Sequence, residues 1–365
     1  MTSRLRGVLA PVLTPFDHDL EPDADAFIAH CRWLIEQRAS LAIFGTNSEA
    51  ASLAIDERIA LTEAILAAGI PAERLMPGTG ACAIRDAVTL TRHAVANGAA
   101  GVLMLPPFYF KGVADDGLFA YYSEVIEKVG DARLAVYLYH IPQMTEVPIT
   151  LALIERLLKR YPGAIAGAKD SSGDWNNSKA MIDAFAGAGF DVFPASESLL
   201  SKALAIGGAG CISATVNMNP SGIRAVFDRW NTVEGPRLQA DADAIRLVFQ
   251  TRSMIPAMKR IVAEFSQRET WSVVRPPLVA ISEAAAAALH AELRALDFAM
   301  TEYPTSDRQA GASDPPGASR APLDAGASVV ARHRASDADP PGYAGTHAPA
   351  DAVADGSPED ALVRL

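Results

Sequence analysis

The chain runs to 365 residues, half of them apolar, 21% charged and 7% aromatic, which is enough to bury a substantial core and excludes a mainly disordered protein. A formal charge of −11, from 32 basic and 43 acidic residues, argues against a nucleic-acid partner, since such proteins need a dense basic face to displace counterions from phosphate. The three scattered cysteines, Cys31, Cys82 and Cys211, form no C-x-x-C pair or disulfide framework, and no run of about 18 apolar residues follows Met1–Phe16, so a cytoplasmic chain with neither export signal nor membrane partner is expected.

In chain order, short apolar or β-branched runs read as strands at Gly7–Leu13, Leu41–Phe44, Leu75–Gly78, Gly101–Leu105, Leu134–Leu138, Ile165–Ala168, Asp191–Pro194 and Cys211–Ala214. Between and after them lie amphipathic helical patterns at Asp25–Gln37, Asp56–Ala68, Ile84–Ala96, Leu118–Val129, Leu151–Arg160, Lys179–Ala186, Ser198–Ile206 and Ser221–Trp230. Strict alternation of eight strands with eight helices predicts an α/β fold, a closed (β/α)8 TIM barrel over residues 1–232. Asp56 and Thr150 stand where N-caps are expected. Arg237–Phe265 and Pro277–Ala299 read as about three further helices, a C-terminal extension over 233–303 that packs outside the barrel. Residues 304–365 are rich in Ala, Pro, Gly, Ser and Asp, carry a net −4 and read as a disordered tail.

In such a barrel the reactive groups stand at the carboxyl ends of the strands. Lys169 ends a strand of small apolar neighbours, where desolvation favours the neutral amine that attacks a carbonyl to form a Schiff base. A lysine paired with Asp170, or one snorkelling to the rim, accounts for the same residue type. Tyr139 ends the preceding strand, about 4.8 Å away, within reach of Lys169 as a proton shuttle or simply as a rim tyrosine. Thr46 and Asn47 sit in a turn opening with Gly45, either an ordinary βα turn or a cradle of N–H groups for a carboxylate. His140 is a general-base candidate or a satisfied structural histidine. The remaining histidines show no ligand spacing, so no metal is expected. Gly207-Gly208-Ala209-Gly210 leads into a strand, opposite to the order of a phosphate-binding loop, and reads as a tight turn.

Assembled, these segments resemble the family of dihydrodipicolinate synthase and N-acetylneuraminate lyase, the pyruvate-dependent class I aldolases, over about residues 5–300. The motifs are Gly7–Phe16 (GVLAPVLTPF), Gly45-Thr46-Asn47-Ser48-Glu49, Tyr139-His140-Ile141-Pro142, Gly167–Asp174 (GAKDSSGD) and Gly207–Ser213 (GGAGCIS). The resemblance implies that Lys169 forms an imine with a 2-oxo acid and no cofactor is needed. It further implies that Tyr139 moves protons, that Thr46 links Tyr139 to a Tyr109 reaching into the neighbouring subunit of a homodimer or homotetramer, that Thr46 and Asn47 hold the pyruvate carboxylate, and that the Ile212 carbonyl faces the reacting centre. The chain departs from the family pattern at Asn47 and Ser48, at His140, where Asn is more usual, and at Met144, where synthases proper carry an arginine for aspartate semialdehyde. A thioether cannot replace a bidentate cation. The expected activity is therefore carbon–carbon lysis of a 2-oxo acid to pyruvate and an aldehyde, for instance a 2-keto-3-deoxy sugar acid, with His140, Ser196 and Glu197 contacting hydroxyls. The alternatives are 4-hydroxy-tetrahydrodipicolinate synthase and, of another class, a catalytically idle 2-oxo acid binding protein.

Overall fold

The computed structural model describes residues 4–305, so the tail read from 304 onward falls, from residue 306, outside the described residues. Among the described residues there are seven parallel strands: β1 (Gly7–Ala10), β2 (Ser40–Leu41), β3 (Val102–Met104), β4 (Val136–His140), β5 (Ile165–Asp170), β6 (Asp191–Pro194) and β7 (Gly210–Ile212). β1 pairs with both β2 and β7, and β3, β4, β5 and β6 pair in sequence. Leu75–Gly78, expected as a strand, fills the gap between β2 and β3 through single bridges: Met76 N donates to Leu41 O at 2.8 Å, Gly78 N to Ile43 O at 2.7 Å and Leu103 N to Pro77 O at 2.8 Å. Pro77 has no N–H to give, which is why this stave is held by bridges and not by a continuous ladder. Ala209 N donates to Val192 O at 3.0 Å and joins β6 to the β7 side, so the eight staves close into the expected barrel.

Around the barrel run α1 (Ala24–Glu36), α2 (Ile55–Ala67), α3 (Ile84–Ala96), α4 (Asp115–Val129), the single turn α5 (Pro142–Thr145), α6 (Leu151–Arg160), α7 (Trp175–Phe185), α8 (Leu200–Ala205) and α9 (Pro220–Arg229). Thr150 caps α6 as expected, its hydroxyl accepting from Leu153 N at 3.0 Å. Asp56 is not a cap: α2 begins at Ile55 after Ala54, and Glu57 Oε2 accepts from Ala54 N at 2.7 Å, doing the capping from inside the first turn. None of the described helices is long and apolar enough to cross a membrane.

The strands alternate between two apolar environments. Leu9, Ala42, Met76, Leu103, Tyr137, Tyr139, Phe193 and Ile212 fill the barrel interior, whereas Val8, Leu41, Met104, Leu138, Val192 and Cys211 face the helices. Three further helices follow the barrel, α10 (Gly235–Gln250), α11 (Met254–Ser266) and α12 (Glu283–Ala295), as the sequence led us to expect.

A buried polar chain ties the end of this extension to the barrel. Asn217 Oδ1 accepts from Leu13 N at 3.1 Å and from His30 Nε2 at 3.0 Å, and Asn217 Nδ2 donates to Pro11 O and Ala214 O. Because Asn217 Oδ1 is an acceptor, His30 carries its proton on Nε2, and Nδ1 accepts from the Tyr303 hydroxyl at 2.9 Å. Burial pushes the His30 pKa down to about 4, with the Asn217 hydrogen bond opposing it. The unfolded chain therefore binds a proton near pH 6.5 that the folded chain refuses until about pH 4, so this stability is complete above about pH 6.5 and is lost as pH falls through that window. Between about pH 7 and pH 4.5, urea unfolding of the wild type is expected to lose about 2–3 kcal/mol more than His30→Gln. Parallel pH profiles would refute a buried neutral histidine.

Candidate active site

At the carboxyl end of the barrel β4 and β5 set two residues side by side, Tyr139 opposite Lys169 in register. A register shift at Val136/Tyr137 inserts an extra residue into β5, which pairs Gly167 with Tyr137 and Lys169 with Tyr139; with Ala168 facing the helices, alternation turns Lys169 inward. Gly167 makes this possible, since a Cβ there would lie 2.1 Å from Asp191 O and 2.8 Å from the Tyr137 ring.

Lys169 and Tyr139 are each only 2% exposed. Lys169 Nζ donates to Tyr139 Oη at 3.1 Å and lies 4.3 Å from the centre of the tyrosine ring. Thr46 Oγ1 stands 3.0 Å from the same phenol oxygen, so Tyr139 Oη is the middle of a three-residue polar chain. Burial would push the phenol's pKa up, but the Lys169 charge and the hydrogen bonds from Thr46 and Lys169 together hold it below the ordinary value. A phenol so placed gives up its proton more readily than a free tyrosine.

The turn carrying Thr46 is pinned from beneath. Residues Thr46–Ser48 form one 3-10 turn, Thr14 Oγ1 donates to Ser48 O at 2.8 Å, and Gly45 N donates to Ser48 Oγ at 3.3 Å. Glu49 follows with φ of 54°, and its fully buried carboxylate accepts from Lys259 Nζ of α11 at 2.7 Å and from Arg275 N at 3.0 Å. Lys259 is itself buried, 4.4 Å above the Phe16 ring; burial lowers its pKa to about 8, Glu49 compensating in part. Glu49 stands in the sequence motif with no role attached, and Lys259 lies in a helix whose pattern signals only packing.

Lys169, Tyr139, Thr46, Asn47, Ile212 and Ser196 line one cavity of about 170 Å³. Three other sequence candidates do not. His140 points from β4 to the opposite face, where its Nδ1 accepts from Ile149 N at 3.0 Å and burial lowers its pKa against the pull of Asp170. Period-two alternation forces this: with Tyr139 inward, His140 must face the helices. Glu197 is fully buried behind the wall, accepting from the Ser213 and Thr215 hydroxyls and from Arg246 Nη1. Tyr109 is 77% exposed, stacked edge to face on the half-exposed Phe110, and makes no hydrogen bond to Thr46 within the chain.

Sequence reasoning missed the contribution of the C-terminal helices. Arg246 of α10, with Ser253, Met254, Ile255 and Leu278, closes the cavity over the strand ends, and Gln143 of α5 and Ser171 and Ser172 after β5 complete it. Nothing local marks Arg246, which sits in an ordinary amphipathic helix. Among the described residues no cluster of three or more His, Cys, Asp or Glu is placed to hold a metal ion.

Residues 4–296 match the dihydrodipicolinate synthetase family. An uncharacterized DapA-like lyase of Chloroflexus aurantiacus is 35% identical over 290 residues, 78% of this chain and 95% of the relative. Among solved structures, dihydrodipicolinate synthase from Agrobacterium tumefaciens superposes with a TM-score of 0.72 at 33% identity, covering 80% of this chain and 99% of the other. A prophage protein of the dihydrodipicolinic acid synthase family from E. coli K12, solved in complex with pyruvate, gives a TM-score of 0.74 at 25% identity, covering 81% and 100%.

Lys259→Met leaves the Glu49 carboxylate buried without its cation, and is expected to cost about 3–5 kcal/mol in equilibrium unfolding. The pair Glu49→Gln with Lys259→Met removes that charge and should unfold later than Lys259→Met alone. Equal midpoints would mean that the stranded charge is not the source of the loss.

Proposed function

The chain belongs to the dihydrodipicolinate synthetase family, which makes it a pyruvate-dependent class I lyase needing no cofactor, and we propose that within it Lys169 is the nucleophile and Tyr139 the proton carrier. The observation that carries this reading is the buried chain from Lys169 Nζ through Tyr139 Oη to Thr46 Oγ1 at the mouth of the barrel.

In the cleavage direction the neutral Lys169 amine attacks C2 of the 2-oxo acid, water leaves, and a protonated imine forms. Its C=N bond accepts the electron pair of the C3–C4 bond as that bond breaks, so an enamine forms in place of a bare carbanion. The C4 hydroxyl loses its proton to Tyr139 and the C4 fragment departs as an aldehyde. The enamine takes a proton at C3, and water adds at C2 to release pyruvate and restore Lys169. Thr46 and Asn47, on the turn after β2, are assigned the pyruvate carboxylate, and Ile212 the wall beside the reacting centre.

The same cavity is lined by Gln143, Ser171, Ser172, Ser196 and Ser253, amide and hydroxyl groups suited to substrate hydroxyls. Met144, at the position where the synthases' arginine would stand, is half-exposed and offers no cation. Both features favour a 2-keto-3-deoxy sugar acid as substrate. The synthase reading has one support, Arg246, a cation lining the same cavity. The exposed Tyr109–Phe110 pair supports a homodimer or homotetramer in which Tyr109 completes a neighbour's site. The unpaired cysteines fit a cytoplasmic enzyme.

Borohydride reduction in the presence of pyruvate is expected to fix a covalent adduct on Lys169, located by peptide mass analysis, and to give none on Lys169→Ala. No adduct on a folded wild-type protein would refute the imine and leave a binding protein. Tyr139→Phe is expected to lower kcat by about 10²–10⁴-fold with adduct formation slowed. Cleavage of 2-keto-3-deoxygluconate should exceed condensation of pyruvate with aspartate semialdehyde in kcat/KM; the reverse order would make the enzyme a synthase.

A further inference from the structure

Arg246 is the one cation besides Lys169 among the described residues lining the cavity, and its surroundings build it as a recognition group. Its side chain is 13% exposed. Both hydrogens of Nη1 are in use, one on Glu197 Oε2 at 3.0 Å and one on Ser213 Oγ at 3.0 Å. Glu197 in turn accepts from the Ser213 and Thr215 hydroxyls, and its backbone carbonyl accepts from Gln239 Nε2 at 2.9 Å, so the guanidinium is gripped at one corner by a buried, fully bonded scaffold.

The opposite edge of the guanidinium, Nε and Nη2, has no hydrogen-bond partner among the described residues. That edge presents two parallel N–H groups with the spacing of a carboxylate's two oxygens. The cavity's own carboxylate does not compete for it, because Asp170 is spent on Ser172 N at 3.0 Å and on Ser178 Oγ at 2.6 Å. Nor is the 2-oxo acid's carboxylate its natural partner. That group is assigned to the turn after β2, whereas Arg246 is anchored to the loops after β6 and β7.

Resting on the assignment of Lys169 and of a sugar-acid substrate above, we propose that Arg246 is a specificity-determining residue that binds a second carboxylate, at the end of the substrate remote from the carbonyl. The substrate is then a 2-keto-3-deoxy sugar diacid, and the aldehyde released from it carries a carboxylate. The arginine lost at position 144 is replaced in kind from a different element of the fold, with its charge held inside the wall instead of on the rim.

The test compares 2-keto-3-deoxyglucarate with 2-keto-3-deoxygluconate, which differ only in a terminal carboxylate against a hydroxymethyl group, by pyruvate release. Wild type is expected to prefer the diacid by about 10- to 100-fold in kcat/KM, the worth of a charge-assisted hydrogen bond. Arg246→Gln should erase the preference mainly through KM for the diacid, and Arg246→Lys should restore part of it. A wild-type enzyme indifferent to the carboxylate, or an Arg246→Gln enzyme that keeps the preference, overturns the proposal, and the first result stands even where the variant folds poorly. If neither sugar acid is cleaved while pyruvate is still trapped on Lys169, the sugar-acid reading fails. Arg246 is then judged by condensation of pyruvate with succinic semialdehyde against butanal, where equal rates overturn it and a preference for the semialdehyde upholds it.

Discussion

Closure of the parallel sheet is the constraint on which the rest depends. Once eight staves meet edge to edge, every inward side chain shares one water-poor lumen, and strand alternation decides which residues enter it. Tyr139 and Lys169 go in; His140 goes out to the helices, where it accepts a backbone N–H, and Asp170 stays at the cavity's edge with its carboxylate spent on Ser172 N and Ser178 Oγ. A single inserted residue in β5 and a glycine with no room for a Cβ set the phase of this choice. With the phase shifted by one, the amine would face the helices and the mouth of the barrel would hold two groups unable to form an imine.

The C-terminal helices act as the roof and as the clamp. Lys259 and Arg275 reach the carboxylate of Glu49 directly after the Thr46 turn, and Tyr303 reaches His30 and through it Asn217 just past the carboxyl ends of the first and last strands. Buried charge pairs of this kind add little net stability, since desolvation offsets most of the attraction, but they penalise any other arrangement of the same partners. The gain at this site is therefore geometric: Thr46 stays within hydrogen-bond reach of Tyr139 because the loop that bears it cannot drift without stranding Glu49.

Much of this was legible in the residues. Eight alternating units, and a lysine at the end of an apolar strand, follow from patterns that act over a few residues, and the motif order through Lys169 carried the family. The misplaced features have physical reasons. Leu75–Gly78 reads as a strand, yet Pro77 removes the donor a ladder needs. Asp56 reads as a cap because the first oxygen side chain before an apolar run is normally one, but Glu57, three residues after Ala54, takes the task. His140 was weighed by residue type at a strand end, where only the facing direction separates a lumen group from a helix-side one. Arg246 was invisible, since its place in the cavity depends on contacts between α10 and loops some 30 to 50 residues earlier.

Those long-range contacts also bear on how one scaffold serves different substrates. Lys169 and Tyr139 stand on adjacent strands, so their mutual geometry is set by the barrel and has little freedom to vary. The rest of the cavity lining comes from α5, the loops after β5 and β6, and the helical extension, elements whose side chains can change without disturbing the ladder. In this chain position 144 on the rim is an uncharged Met, while a guanidinium from the extension is held by Glu197 and Ser213 in the wall. A cation held rigidly by buried partners loses less freedom when it meets its ligand than one on an exposed loop, so selectivity can be carried by a single residue without any change at Lys169.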